Sequence, residues 1–161
     1  IAHHLHAPAQ ILRGLELGIP ACLLLRDPED SVRSFLIRNP AHHPGILLKS
    51  YILFHRPLIK VRGDILTVSF KTITNHFENF MVTLNDQNSG KFPYTWNGES
   101  HEKALNLLKK RQAEGRMQRA LGFSVPSGEK ETKKKAIDLE SFRDLIDEAR
   151  SLHSTLSENG V

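Results

Sequence analysis

Apolar residues in the first half of the chain switch between a helical spacing and short continuous runs. Ala9, Ile11, Leu12, Leu15 and Leu17 fit a short amphipathic helix over 9–17 that Gly18 and Pro20 end. Ala21-Cys22-Leu23-Leu24-Leu25 is a continuous apolar run of strand length, the pattern of a parallel strand buried on both faces. Pro28 suits the first turn of a following helix, and Glu29 and Asp30 suit its positive end. That helix carries Val32, Phe35 and Leu36 and stops before Asn39-Pro40. After a turn at His42-His43-Pro44-Gly45, Leu47, Leu48, Tyr51, Ile52, His55, Leu58 and Ile59 form an i, i+3, i+4 stripe, kinked or shortened by Pro57. Arg62-Gly63-Asp64 is a turn. Ile65–Phe70 is a second strand, followed by a helix with Ile73, Phe77, Phe80, Met81 and Leu84 on one face and Asn75 and Glu78 as a capping pair.

The second half is more polar. Residues 85–99 read as a loop with an aromatic cluster, Phe92, Tyr94 and Trp96, which either packs within the loop or lines a ligand site. A helix is predicted over 100–114, irregular chain over 116–127, and a final helix over 128–156 on Ile137, Phe142, Leu145, Ile146, Ala149, Leu152 and Leu156. Strand–helix alternation predicts an α/β protein, a single domain over 1–161 with a parallel sheet between helical layers. Two parallel strands do not make a stable sheet alone. The chain also opens at Ile1, so a first strand and its loop are expected to be missing.

The net charge of +4 and pI near 9.3 suit an anionic ligand. The basic residues are not interleaved with an aromatic platform, which argues against nucleic acid. Cys22 is the one cysteine, so neither an intrachain disulfide nor a Cys-based metal site can form, and the thiol is expected in the core. No stretch reaches the ~18 apolar residues of a membrane span. With no disulfide-forming pair, a cytoplasmic location is expected.

The candidate chemistry centres on Leu25-Arg26-Asp27-Pro28-Glu29-Asp30-Ser31-Val32-Arg33-Ser34. A strand that ends at an Arg and turns into a helix places a guanidinium at the carboxyl edge of a sheet, where open α/β sheets bind ligands. The planar fork of Arg26 matches a phosphate, and Ser34 lies two turns further on. Alternatively, Arg26 pairs with Asp27 or Glu29 and Ser34 is an ordinary helix residue. His3, His4 and His6 are compatible with a general base, with solvated terminal residues, or with an i, i+3 metal pair of His3 and His6. Lys130, Lys133, Lys134 and Lys135 fall at a helix start, unfavourable for cations unless an anion binds there; otherwise they form a solvated basic face. Arg116 and Arg119 lie just upstream.

The segment from Arg26 to Ser34 resembles the sulfotransferase motif R-[ND]-P-x-D-x-x-x-S. Asp30 matches the acidic position between Arg26 and Ser34. The order of elements is also similar, closely over residues 1–85 and loosely beyond. The resemblance implies a three-layer α/β/α fold of the P-loop NTPase type and transfer of a sulfonyl group from 3′-phosphoadenosine 5′-phosphosulfate (PAPS), with no metal. The acceptor would be a hydroxyl or amine on a small molecule, carbohydrate or peptide. It also implies that Arg26 and Ser34 hold the 3′-phosphate and that His4, or else His6, is the catalytic base. The stretch from Pro126 to Lys135 is similar to a basic segment of bacterial sulfotransferase-like proteins, which implies 3′-phosphate contacts from Lys130 and Lys133. Two departures stand out. Val68-Ser69-Phe70-Lys71 lacks the family's acidic pair after its strand. Neither Arg13-Gly14-Leu15 nor Ser89-Gly90-Lys91 forms a phosphate-cradling glycine loop. A P-loop kinase or other nucleotide-binding protein, and a non-catalytic anion-binding module, remain as alternatives.

Overall fold

The computed structural model describes residues 7–87 and 128–158, together with the helical positions 99, 102, 103, 106, 107 and 110. Helix α1 (Pro8–Glu16) ends where Gly18 adopts a left-handed φ of 68°, which turns the Ile19 N–H back onto the carbonyl of Gly14. Strand β1 (Ala21–Leu25) leads through Arg26 and Asp27 into helix α2 (Pro28–Arg38). Helix α3 (Pro44–His55) gives way to a 3-10 stretch (Arg56–Asp64), because Pro57 offers no N–H to continue the α-helical ladder. Gly45 sits at the start of α3 because a Cβ there would lie 3.0 Å from the Phe142 ring.

Strand β2 (Ile65–Ser69) pairs parallel with β1, from Ala21 opposite Ile65 to Leu25 opposite Ser69. The two strands end together, so whatever follows each of them meets at one edge. The fold is thus α/β and mostly helical, with a two-stranded parallel sheet among the described residues. Ser69 stops β2 one residue earlier than the sequence pattern predicts. Its hydroxyl accepts the N–H of Thr72 at 2.9 Å and caps helix α4 (Phe70–Asn75).

The single helix predicted after β2 is two. The chain breaks at His76 (φ −139°, ψ 50°), and helix α5 (Phe77–Gln87) follows. Asn75 therefore closes α4, and the carbonyl of His76 accepts the N–H of Asn79 at the start of α5. Helix α5 also takes in residues 85–87, predicted as loop. The long C-terminal helix is divided as well. Helix α6 (Gly128–Lys135) ends where Ile137 and Leu139 turn inward, Leu139 into the core, while Asp138 accepts the N–H of Glu140 at 2.8 Å. A 3-10 turn (Glu140–Phe142) then opens helix α7 (Arg143–Ser157). The aromatic cluster at 92–96 and most of the helix predicted over 100–114 lie outside the described residues.

Three apolar clusters hold these elements. Ile11, Leu23, Leu25, Leu58, Ile65 and Leu156 join α1, the sheet, the 3-10 stretch and α7. Val32, Leu36, Leu48, Leu139 and Ile146 join α2, α3 and α7. Leu66, Val68 and Phe80 pack on the opposite face of the sheet. Among the described residues, that second layer covers β2 but not β1. Leu24, level with Val68, is 47% exposed, and Cys22 is exposed beside it. The strand predicted to be buried on both faces is buried on one, and Cys22 reaches the surface, although its surroundings still desolvate the thiol enough to push it up to about 11.

Candidate functional site

The carboxyl edge of the sheet gathers the charged side chains. Asp27 accepts the N–H of Asp30 at 2.8 Å and fixes the start of α2 directly after Arg26. The backbone carbonyl of Arg26 accepts the Tyr51 hydroxyl from α3 at 2.9 Å, which ties the strand end to the helix behind it. Burial, and then the charge of Asp27, push that phenol well above its ordinary range, so it remains a donor. The guanidinium lies over the Phe70 ring at 4.4 Å, at the matching end of β2. Its Nε and Nη2 both meet Asp30 Oδ2, at 2.6 and 2.5 Å. Arg26 therefore pairs with Asp30, and not with Asp27 or Glu29.

Asp30 has a second partner. The Nζ of Lys134, on α6, meets Asp30 Oδ1 at 2.6 Å and Glu131 at 2.7 Å. Burial alone would raise the Asp30 carboxyl, but Lys134 and Arg26 outweigh it and hold the group below the ordinary carboxylate range. Burial works against the Lys134 ammonium too, and Asp30 and Glu131 more than offset it, raising its pKa. Asp30, Ser34 and Arg38 follow one another at helical i, i+4 spacing on α2. Opposite them stand Lys134 and, one turn earlier, Lys130. Lys130 is lowered first by burial and then by the positive charges of Lys134 and Arg38. Ser34, half-buried, makes no side-chain hydrogen bond among the described residues.

The residues predicted from sequence thus divide. Arg26, Ser34 and Lys130 share the region between the strand edge, α2 and α6. Lys133 instead pairs with Glu129 on its own helix at 2.6 Å, on an exposed face. Lys134 takes the contact with α2. Lys134 belongs to the basic cluster read from the sequence, and its i+4 spacing from Lys130 stacks the two on one helical face. His4, His6, Arg116 and Arg119 lie outside the described residues.

The site can offer an anion a guanidinium and ammonium groups at the end of a parallel strand, with a carboxylate already among them. An open cavity of about 590 Å³, lined by Leu15, Ile19, Arg62, Asp64, Ile65 and Gln87, lies at the other, amino edge of the sheet. Among the described residues no group of three or more His, Cys, Asp or Glu is placed to hold a metal, and no helix is long and apolar enough to cross a membrane. Neither a family model, nor a curated protein, nor a solved structure matches the chain.

Proposed function

We propose that the chain carries the 3′-phosphate half of a PAPS site, in a sulfotransferase-like domain of the P-loop NTPase type. Support comes from one observation above the others. Arg26 stands at the carboxyl end of a parallel strand, over Phe70 at the matching end of its neighbour, with a lysine-bearing helix alongside. That edge is where open α/β sheets take their ligands. Arg26 would grip the phosphate through its planar fork, Ser34 would donate its hydroxyl, and Lys130 would add charge.

In the complete reaction the acceptor oxygen or nitrogen attacks sulfur. The bond from sulfur to the 5′-phosphate oxygen breaks, and the acceptor's proton passes to His4 or His6. The products are the sulfonated acceptor and 3′-phosphoadenosine 5′-phosphate. No metal is needed for these steps. A second reading, a non-catalytic anion-binding module, draws on the Asp30 carboxylate that already engages Arg26 and Lys134.

Calorimetric titration with 3′-phosphoadenosine 5′-phosphate, with ATP in parallel, tests the proposal. Binding of the former that weakens at least tenfold in Arg26→Ala, with little affinity for ATP, is the expected result (about 1.4 kcal/mol per tenfold). Equal binding by Arg26→Ala removes the 3′-phosphate assignment. Binding without any sulfonyl transfer that His4→Ala and His6→Ala could abolish favours the second reading.

A further inference from the structure

We propose that Asp30 is a resident counter-anion: its carboxylate fills the seat between Arg26 and Lys134, and an incoming phosphate takes both cations over from it. This rests on the phosphate-binding reading above. Arg26, Asp30 and Ser34 follow at successive four-residue steps, with Asp30 in the middle. A phosphate that takes the Arg26 guanidinium meets the Asp30 carboxylate already there.

The two oxygens of that carboxylate are divided between the two cations. Oδ2 takes Nε and Nη2 of Arg26, and Oδ1 takes the Lys134 ammonium at 2.6 Å. The cations thus enclose one small anion from two elements, β1 with its following turn and α6. This is the arrangement a phosphate oxygen pair needs, met here by a side chain of the chain itself.

The exchange has a charge consequence. Asp30 brings one negative charge, whereas a phosphate monoester carries close to two at neutral pH, its second pKa being about 6. Replacing the carboxylate by a monoanion changes nothing in the local balance. Replacing it by a dianion adds one favourable charge between Arg26 and Lys134. Asp30 thereby favours a doubly charged phosphate monoester over a singly charged phosphodiester. The same carboxylate holds α6 against α2 while the seat is empty of ligand.

Titration of the whole chain with 3′-phosphoadenosine 5′-phosphate at fixed ionic strength, as wild type, Asp30→Asn and Lys134→Met, tests this. Asp30→Asn, which removes the competing charge and keeps the shape, is expected to bind about fivefold tighter, the size of one partly exposed ion pair. Lys134→Met, which keeps Asp30 and removes a cation the phosphate would take over, is expected to bind about fivefold weaker. Unchanged or weaker binding by Asp30→Asn overturns the counter-anion role and leaves the phosphate-binding reading standing. If circular dichroism shows that Asp30→Asn does not fold, Lys134→Met decides, and an unchanged affinity overturns the role. A wild type that takes no 3′-phosphoadenosine 5′-phosphate removes the underlying reading, and the counter-anion role with it.

Discussion

Glu29 and Asp30 are neighbours on the first turn of α2, and each takes two cations, yet they serve different parts of the molecule. Glu29 binds Arg33 on its own helix at 3.0 Å and Arg150 from α7. Its side chain is only 14% exposed, and Arg33 passes on to the carbonyl of Ile137 at 3.3 Å. Asp30 binds Arg26 and Lys134, and its side chain is 35% exposed. The first network ties α2 to the C-terminal helix over the cluster of Val32, Leu36 and Ile146. The second spans the sheet edge and α6, with Arg26 lying over the Phe70 ring. Identical chemistry one residue apart is structural where helices close over it and exchangeable where water reaches it.

The largest effect should come from breaking the pair unequally. Glu29→Ala removes the carboxylate that Arg33 and Arg150 share beside a packed interface and should cost about 1.5–3 kcal/mol, as for hydrogen bonds to charged groups. Asp30→Ala, in a wetter setting, should cost no more than ~1 kcal/mol. Urea unfolding of both variants checks this, and equal losses would erase the distinction.

Acid should then separate the site from its support. His55 is buried against Tyr51, its Nδ1 2.8 Å from the Tyr51 carbonyl; burial first, and His153 after it, hold its pKa below 6.5. A depressed pKa means that the unfolded chain binds the proton first. Its contribution is present above 6.5 and is lost as pH falls from there through the folded value. Asp30 is also depressed, so its contribution is present above 3.8 and is lost below it. Stability measured against pH should fall in two stages, and His55→Asn should flatten the stage just below 6.5 alone. A single stage near pH 4 in the wild type would remove His55 from the account.

The smallest effect is assigned to Lys133. Its pair with Glu129 is exposed and screened by water, so Lys133→Ala should leave both melting and anion affinity unchanged. A loss of affinity matching that of Lys134→Met would return Lys133 to the site.

What could be read from the residues was local. The run Ala21–Leu25, the Asp27-Pro28 start of α2 and the strand at Ile65 are set by neighbours in sequence, and they stand close to where the pattern puts them. The breaks at His76 and at 136–139 were not legible, because apolar residues keep a helical rhythm through both. Position 76 leaves the helix after Ser69 has started α4 early; Leu139 leaves it to reach α2 and α3. The open face of β1 was equally hidden, since Cys22 and Leu24 are apolar whether or not a layer covers them. At the site, the Arg26 placement was legible from strand and turn. Its partner was not, because choosing among Asp27, Glu29 and Asp30 depends on the rotation of α2 about its axis.

The in-register ending of β1 and β2 also has a topological consequence. The strands pair only after α2, α3 and the 3-10 stretch have been looped between them, and α6 arrives from far later in the chain. Closing long loops costs entropy that local helix contacts do not. The cation cluster at the sheet edge therefore joins parts far apart in sequence, Arg26 and Asp30 with Lys134. The Arg26–Asp30 pair is local, but the Lys134 contact forms only once α6 has reached α2, which makes that ion pair a readout of their docking.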